Sequence, residues 1–419
     1  MANTEQLHMN LEDVGNPFKP GAGHMPPYLA GRNPEQEEFR ELLKQTTILK
    51  NVVLTGLRGV GKTVLLETFK PIAQKSGWLW VGADMSEAVS VNEERLAIRL
   101  LADLSVVTST LVIHADEQTR IGFAAGTEWF IQTLDFAALE AMYRSTPGLV
   151  EDKLKNVLEL AWKFICDNDQ SSRGIIFAYD EAQNLSDNRQ RDEFPLSILL
   201  DVFQSLQKKN IPFMLVLTGL PTLIPKLVEA RTYSERMFQV IHLSKLGEDD
   251  SREAITVPIE KSNSPVSFHP ESVEAIIYES AGYPYFLQFI CREVYDVFLR
   301  DIRAARPPSA VPVVSITQKL DQDFFAGRWG NCSDRQRELL WVFAQALDRS
   351  GGEVTIQDIV ATSKRLLKKG FSPSHANQIL VALNDKGLVY KNRHGRYSLA
   401  VPLLDRFILR QDFEEAQRE

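Results

Sequence analysis

The chain has 419 residues, of which 44% are apolar and 24% are charged, a composition typical of globular proteins. This composition excludes a disordered or collagen-like chain, and at about 150 residues per domain the length predicts two or three domains. No apolar run approaches the roughly 18 residues of a membrane span, and Met1–Asn10 lacks a secretory pattern, so we expect a cytoplasmic protein without a membrane partner. The three cysteines are widely spaced and predict neither a disulfide framework nor a zinc site.

The charge is distributed unevenly along the chain. The formal net charge is −8, yet residues 361–396 contain eight basic residues and Asp385 as their single acid. A run of charge is usually just a solvated face, but a basic island on an acidic body requires a further explanation, such as an acidic partner.

The first half of the chain alternates predicted strands with predicted helices. Residues 1–32 are rich in proline and glycine and predict an extended arm, and Asn33-Pro34 then forms a helix start signal. Residues 91–165 have a mostly helical pattern, but the middle around His114–Gly126 is left unassigned. Five short apolar runs predict strands, namely Asn51–Thr55, Trp78–Gly82, Ile175–Tyr179, Phe213–Leu217 and Phe238–Leu243. This alternation predicts an α/β domain with a parallel sheet over residues 33–245.

Helices alone are predicted immediately after the sheet. Residues 246–303 would form a helical lid, and the proline-rich stretch that begins at Ala304 predicts a linker over residues 304–330. Three helices followed by a hairpin at Leu388–Leu399 predict a winged helix-turn-helix domain over residues 331–412. Helical spacing would place four basic residues on one helix: Lys364, Arg365, Lys368 and Lys369.

The most specific motif is G-x-x-x-x-G-K-T at residues 56–63, between a predicted strand and a predicted helix. Glycines let such a loop curl so that its N–H groups point at phosphate oxygens, and the following helix adds the positive end of its dipole. Lys62 would bind the β- and γ-phosphates, and the Thr63 hydroxyl would be a ligand of Mg²⁺. The motif predicts a P-loop that binds ATP through Gly56, Leu57, Arg58, Gly59, Val60, Gly61, Lys62, Thr63 and Val64.

An acidic pair follows the apolar run Ile175–Tyr179. Asp180 would hold Mg²⁺, and Glu181 would orient and deprotonate the attacking water. The alternative is that the two acids only cap a helix. Adenylate-type transferases also contain P-loops but lack this pair, so the sequence favours an ATPase.

Three further residues each have two interpretations. Thr218 either contacts the γ-phosphate or the attacking water, or caps the backbone from Leu220 onward. Arg231 and Arg236 each either reach the nucleotide of a neighbouring subunit, as an arginine finger does, or form a surface salt bridge. The expected catalytic residues are Lys62, Asp180, Glu181, Thr218 and Arg236.

Together these residues resemble the AAA+ ATPases, in the branch shared by replication-initiator-like, STAND switch and transposition-regulator ATPases. The matching segments are YLAGRNPEQEEF, GLRGVGKT, FAYDEAQ, TGLP, YSERMF and AGYPYFLQ, and the resemblance spans about residues 16–410. It implies that Arg236 is the better finger candidate of the two arginines. It also implies that most members direct a lid arginine at the γ-phosphate, whereas this chain has Gly-Tyr-Pro at 282–284 and offers only Arg292 nearby. The residues implied on the adenine side are Tyr28, Leu29, Arg32 and Pro284.

Three functions are compatible with these features. An ATP-controlled switch would bind duplex DNA, with the helix at Ser374–Lys386 in the major groove and phosphate contacts from Lys391, Arg393 and Arg396. A STAND-like ATPase would use the winged helix to bind a protein partner or to inhibit itself. A dedicated metabolic or processive motor would need a further catalytic constellation, which the isolated histidines do not provide. We favour the first, as a slow, regulatory ATPase that forms homo-oligomers when ATP is bound.

Overall fold

The computed structural model describes residues 14–411, except residues 22, 120–126, 263, 308, 351 and 393–394. The fold divides into two compact units. The sheet unit consists of residues 34–56 and 65–242, and the lid unit consists of residues 57–64 together with the chain up to residue 33 and from residue 243 onward.

The strands described in the sheet unit are β1 (Asn51–Gly56), β2 (Trp78–Val81), β3 (Val112–Thr119), β4 (Thr127–Thr133), β5 (Gly174–Tyr179), β6 (Phe213–Gly219) and β7 (Phe238–Leu243). Five of them form a sheet in the order β2-β5-β6-β1-β7, in which β6 pairs in parallel with both β1 and β5. β1, β5 and β6 are buried along their whole length, which is why Ile175–Tyr179 of β5 and Phe213–Leu217 of β6 are continuous apolar runs. The five strands predicted from the sequence are confirmed.

The helices that pack with these strands are α1 (Asn33–Leu42), α2 (Lys62–Lys75), α3 (Glu93–Thr108), α4 (Phe136–Ser145), α5 (Val150–Asn168), α6 (Pro195–Lys208), α7 (Leu223–Ala230) and α8 (Ser234–Met237). Side chains cap two of them: Asn92 accepts a hydrogen bond from the first turn of α3, and Asp135 accepts one from the first turn of α4. Phe177 of β5 packs against Phe203 of α6 and Phe213 of β6 in the shared core.

The antiparallel hairpin of β3 and β4 departs from the helical pattern expected over residues 91–165. The sequence of β4, TEWFIQT, is rich in β-branched and aromatic residues, which favour a strand over a helix. α3, α4 and α5 occupy the rest of that window. β3 lies largely within the unassigned middle around His114–Gly126, of which residues 120–126 are outside the described residues, and the helical prediction was wrong at β4.

The lid unit contains the N-terminal arm and the helices α9 (Glu248–Lys261), α10 (Pro270–Ser280) and α11 (Pro284–Arg303). Phe18 of the arm is 1% exposed, and its ring stacks on that of Phe268 with 6.2 Å between centroids. Asn16 donates to the carbonyl of Arg292 at 3.0 Å and to Asp296 Oδ1 at 2.8 Å. The described part of the arm is therefore packed on the lid helices.

The segment predicted as a linker, residues 304–330, is helical from Val313 to its end. It contains α12 (Val313–Leu320), one π-helical turn (Asp321–Phe325) and α13 (Ala326–Gly330). Phe325 is fully buried and lies 6.1 Å from the ring of Phe286 and 5.2 Å from that of Phe407. The prolines that suggested a linker end at Pro312, and the aromatic residues beyond them belong to the core.

A winged helix-turn-helix domain completes the lid unit, with α14 (Asp334–Ser350), α15 (Ile356–Leu366), α16 (Pro373–Asp385), β8 (Val389–Lys391), β9 (Tyr397–Leu399) and α17 (Leu404–Leu409). β8 and β9 are antiparallel, and Val354 adds a bridge to Tyr397. α15 ends at Leu366, so Lys368 and Lys369 lie in the turn before α16 and not on the helix where they were expected. The helix stops there because Leu367 takes an extended conformation and is buried. None of the helices described is long and apolar enough to cross a membrane.

Candidate functional site

Three neighbouring strands of the sheet unit end at one edge. β1 ends at Gly56, Asp180 directly follows β5, and β6 ends at Gly219. These strands are parallel, and Thr55 of β1 is in register with Gly219 of β6. In open α/β sheets this edge is where ligands bind. The residues that the sequence identified after β1, β5 and β6 therefore share one edge of the sheet.

Asp180 is fixed at this edge by its own backbone and by its neighbours. The residue is only 5% exposed, and its Oδ1 accepts a hydrogen bond from the N–H of Glu181 at 2.7 Å. Its carbonyl accepts one from the N–H of Met85 at 2.8 Å. A carboxylate oxygen held in this way is the type of ligand that Mg²⁺ prefers.

Glu181 has a left-handed backbone, with φ 51° and ψ 32°. Residues with a side chain rarely adopt this conformation, and such strain is concentrated at functional sites. The residue is exposed, and its carboxylate accepts a hydrogen bond from Gln183 Nε2. Among the described residues it makes no side-chain cap to the helical turn Ala182–Asn184 that follows. The helix-cap interpretation of Glu181 is therefore not supported.

Gln183 is a site residue that the sequence analysis did not identify. Its Oε1 accepts a hydrogen bond from the N–H of Leu220 at 3.1 Å, and its carbonyl accepts one from Lys226 Nζ at 2.6 Å. Together with its bond to Glu181, these contacts tie the loop after β5 to the loop after β6. Its signals in the sequence were its position two residues after the acidic pair and its place at the end of the matching segment FAYDEAQ.

Thr218 lies one residue before the end of β6. It is fully buried, and its Oγ1 has no hydrogen-bond partner in the described part of the chain. Gln183, and not Thr218, accepts the hydrogen bond from Leu220. A buried hydroxyl without a partner marks a position where a bound oxygen or water would satisfy it.

Arg231 is engaged within the sheet unit. Its Nε donates to the two carboxylate oxygens of Asp201 at 2.9 and 3.0 Å, and its Nη1 donates to Ser197 Oγ at 2.6 Å. The hydroxyl of Tyr233 also donates to Asp201, at 2.6 Å. Burial alone would raise the pKa of Asp201, but the hydrogen bonds from Arg231 and Tyr233 lower it below its usual value. Arg231 therefore forms a structural ion pair.

Arg236, in α8, has different surroundings. Its carbonyl accepts a hydrogen bond from Lys50 Nζ at 2.8 Å, whereas its side chain is exposed and forms no ion pair with any described residue. Of the two arginines before β7, Arg236 is the one whose guanidinium is available to another molecule.

The P-loop, whose residues 57–64 belong to the lid unit, has the conformation that its glycines permit. The φ angles are +77° at Gly59 and +91° at Gly61, in the left-handed region. Lys62 Nζ donates to the carbonyl of Leu57 at 3.0 Å. Lys62 at the start of α2, the Thr63 hydroxyl beside it and, in the sheet unit, the Asp180 carboxylate are the donor types that suit a magnesium–nucleotide complex.

Arg32 braces the P-loop from within the lid unit. It is 5% exposed, and its Nη2 donates to the carbonyls of Val60 at 3.0 Å and Ser244 at 2.8 Å. Leu29, three residues before it, is half-buried. The hydroxyl of Tyr28 donates to Glu253 Oε2 at 2.9 Å.

The first turn of the lid helix α11 also contacts the P-loop. Pro284 begins the helix, and the N–H of Tyr285 donates to the carbonyl of Gly59 at 3.1 Å. A Cβ at Gly59 would lie 3.0 Å from the Cβ of Tyr285, so this glycine is also required for the close approach. Arg292, further along α11, is exposed.

Lys386 donates to the carbonyl of Asn331 at 2.6 Å and to Gln336 Oε1 at 2.8 Å, and the other basic residues of the island at 361–396 fall into two groups. On the wing, Lys391 Nζ lies 6.0 Å from the ring centroid of Tyr397, Arg396 lies 3.9 Å from a carboxylate oxygen of Glu353, and Arg393 is outside the described residues. The other group is exposed and forms no ion pair with any described residue: Lys364, Arg365, Lys368 and Lys369. The second group lies at the end of α15 and in the turn that leads into α16.

Comparison with known proteins agrees with this architecture. Residues 322–408 match the family described as "Domain of unknown function (DUF8462)". The Walker-type ATPase PABY2304 of Pyrococcus abyssi is similar over 91% of this chain and 96% of its own, at 15% identity and a TM-score of 0.56. The ADP form of the Aeropyrum pernix ORC2 protein is similar over 93% of this chain and 95% of its own, at 14% identity and a TM-score of 0.51. No curated protein sequence matches the chain.

The described strand order, helices and winged helix give this chain the fold of the Walker-type ATPase and of the ORC2 protein to which it is similar. Within that fold, this chain has a complete P-loop and an acidic pair after β5, and it lacks an arginine at residues 282–284.

Proposed function

We propose that this protein is a Mg²⁺-dependent ATPase of slow turnover that acts as a switch. One observation carries the proposal: β1 leads into the P-loop at the same edge of the sheet at which Asp180 follows β5 and Thr218 lies near the end of β6. A glycine-rich loop binds phosphates, and a fixed carboxylate at this edge is suited to the metal that accompanies them. ATP with Mg²⁺ is the ligand that uses all of these groups.

Each side chain has a distinct role in this proposal. Lys62 binds the β- and γ-phosphates, and Thr63 and Asp180 would hold the magnesium ion, which neutralises phosphate charge when bound. Glu181, held by its hydrogen bond from Gln183, orients the attacking water and accepts its proton. The buried hydroxyl of Thr218 holds the water or a γ-phosphate oxygen.

The adenine side of the nucleotide is assigned to the lid unit. Tyr28 and Leu29 precede Arg32, whose guanidinium braces the P-loop, and Pro284 begins the helix whose next residue bonds to Gly59. These contacts support a base-binding role for the arm and the lid, because they place both beside the P-loop.

Glu181→Gln tests the chemical step. The amide side chain still forms hydrogen bonds but does not accept a proton, so the variant is expected to bind Mg-ATP with wild-type affinity and to hydrolyse it at least about 100-fold more slowly. Nucleotide affinity and phosphate release are measured on the same preparation. Glu229→Gln, which removes an exposed carboxylate from α7, is the matched control and should leave both unchanged.

Turnover at the wild-type rate in Glu181→Gln would remove Glu181 from the mechanism. Loss of binding and turnover together would show that the residue supports the fold of the site and does not act as a base.

We further propose that the winged helix binds duplex DNA. We also propose that the protein is cytoplasmic and forms homo-oligomers when ATP is bound. The observation in favour of DNA binding is the group of four exposed basic residues at the end of α15 and in the turn before α16, which form no ion pair in the described structure. In helix-turn-helix proteins this turn lies against the phosphate backbone when the second helix enters the major groove. A protein partner on the same basic surface is the alternative, and the salt dependence predicted in the Discussion separates the two.

A further inference from the structure

Arg58, the second variable residue of the P-loop, lies against the winged helix within the lid unit. A Cβ at Gly387, in the turn between α16 and β8, would be 3.2 Å from Arg58 Nη2. Arg58 is exposed and forms no ion pair with any residue that the structure describes. The turn of the winged-helix domain at Gly387 therefore lies close to the positively charged Arg58 side chain of the P-loop.

A second arginine reaches the same region through a short series of contacts. Tyr285 bonds to Gly59 of the P-loop, and its ring lies 5.1 Å from that of Phe324 in the π-helical turn. The guanidinium of Arg328, in α13, stacks over Phe324 at 4.4 Å from the ring centroid. Arg328 thus belongs to the segment that enters the winged helix. The rings of Phe324 and Tyr285 connect it to the P-loop.

The two arginines lie within electrostatic range of each other. Burial, and next the positive charge of Arg58, lower the pKa of Arg328. Its Nη1 donates to the carbonyl of Phe324, which leaves other donors of its guanidinium unused. Asp323 lies on the same segment, but it acts on the pKa of Tyr285 and does not pair with Arg328.

Two like charges, one of them half-buried, are unfavourable together unless an anion neutralises them. The described structure provides no carboxylate for either guanidinium. The group that a P-loop brings to this place is phosphate, and a planar guanidinium is suited to bidentate contacts with phosphate oxygens.

We propose that Arg58 and Arg328 together bind the terminal phosphate of the nucleotide, so that ATP ties the entry of the winged-helix domain to the P-loop and ADP does not. The inference rests on the proposed ATP binding. In this proposal the γ-phosphate contacts Arg328, which lies outside the helical lid. The lid itself has no arginine at residues 282–284. The contact with Arg328 also gives the nucleotide a direct route to the winged-helix domain.

The test compares the affinities for a non-hydrolysable ATP analogue and for ADP in the full-length wild type, Arg58→Ala, Arg328→Ala and the double variant. Arg300→Ala, which removes an exposed cation from α11, is the matched control. Each single variant is expected to lose about tenfold in affinity for the ATP analogue and less than about twofold for ADP, because a charge-assisted hydrogen bond is lost only with the longer nucleotide. Arg328→Lys should recover part of the loss.

Because the side chain of Arg328 also covers Phe324, the melting temperature of each variant is measured alongside. A lower melting temperature with an unchanged ratio of the two affinities would overturn the proposal, since it would show a packing role only. Equal losses for both nucleotides would also overturn it. Absence of nucleotide binding in the wild type is a different outcome, which contradicts the proposed function and this inference together.

Discussion

Arg231 and Arg236 are five residues apart, yet their surroundings give them different roles. The ion pair of Arg231 with Asp201 joins the end of α7 to the middle of α6. We expect Arg231→Ala to lower the free energy of unfolding by about 2 kcal/mol, because it removes charge-assisted hydrogen bonds from a partly buried carboxylate. Denaturant unfolding at neutral pH measures this, and Arg236→Ala is the matched control that should leave stability unchanged.

The same pair predicts how stability depends on pH. The pKa of Asp201 is lowered in the folded state, so its contribution is present above the ordinary carboxyl pKa near 4 and is lost as the pH falls below it. The stability difference between wild type and Arg231→Ala should therefore shrink below about pH 4. A difference that stays constant down to about pH 2 would contradict the assignment of the ionised carboxylate.

At the level of helices and strands, the sequence predicted most reliably those elements whose own residues form a recognisable pattern. The continuous apolar runs of β5 and β6 predicted buried parallel strands, and the short β-branched run of β1 before a glycine-rich turn predicted the strand and the loop after it. These features depend on residues that are neighbours in the chain, so a local pattern was sufficient.

Features that depend on contacts between distant segments were not predictable in this way. Gln183 became a site residue only because the fold brings Leu220 and Lys226 to it. Arg328 lies in a segment whose prolines predicted a linker, and its relation to Arg58 spans 270 residues of chain. The left-handed conformation of Glu181 is also set by its surroundings, because its residue type gives no local signal for it.

The helix-turn-helix yields a prediction about DNA. If the turn before α16 contacts phosphates, replacing Lys368 and Lys369 with alanine should weaken binding to duplex DNA and flatten its log–log salt slope by about 2, at roughly 0.9 per phosphate contact. Titrations of the full chain at several salt concentrations measure the slope. Arg189 and Arg191, two exposed cations of the sheet unit, provide a matched double-alanine control that should leave it unchanged.

Wing residues offer a comparison within the same domain. Lys391 lies near an aromatic ring and Arg396 near Glu353, so their double replacement should change the slope less than that of the turn lysines. Failure of the wild type to bind DNA even at low salt would favour the protein-partner alternative.

For the molecule as a whole, the exposed guanidinium of Arg236 predicts activity that depends on assembly. Arg236→Ala should bind ATP normally and lose turnover, because an arginine finger acts on the nucleotide of a neighbouring subunit. Mixing it with Glu181→Gln should restore part of the activity, since shared interfaces then combine an intact Arg236 with an intact Glu181. Specific activity of the wild type should rise with protein concentration, and a constant value would indicate a monomeric enzyme without a finger.

The central claim is that the loop after β1 binds the phosphates of ATP. Its most direct test is the affinity of Mg-ATP for wild type and for Lys62→Ala, measured at equilibrium without turnover. We expect saturable binding by the wild type and at least about tenfold weaker binding by the variant, because the charge-assisted hydrogen bonds of the lysine are lost. Equal affinities in the two proteins would contradict the assignment of the P-loop.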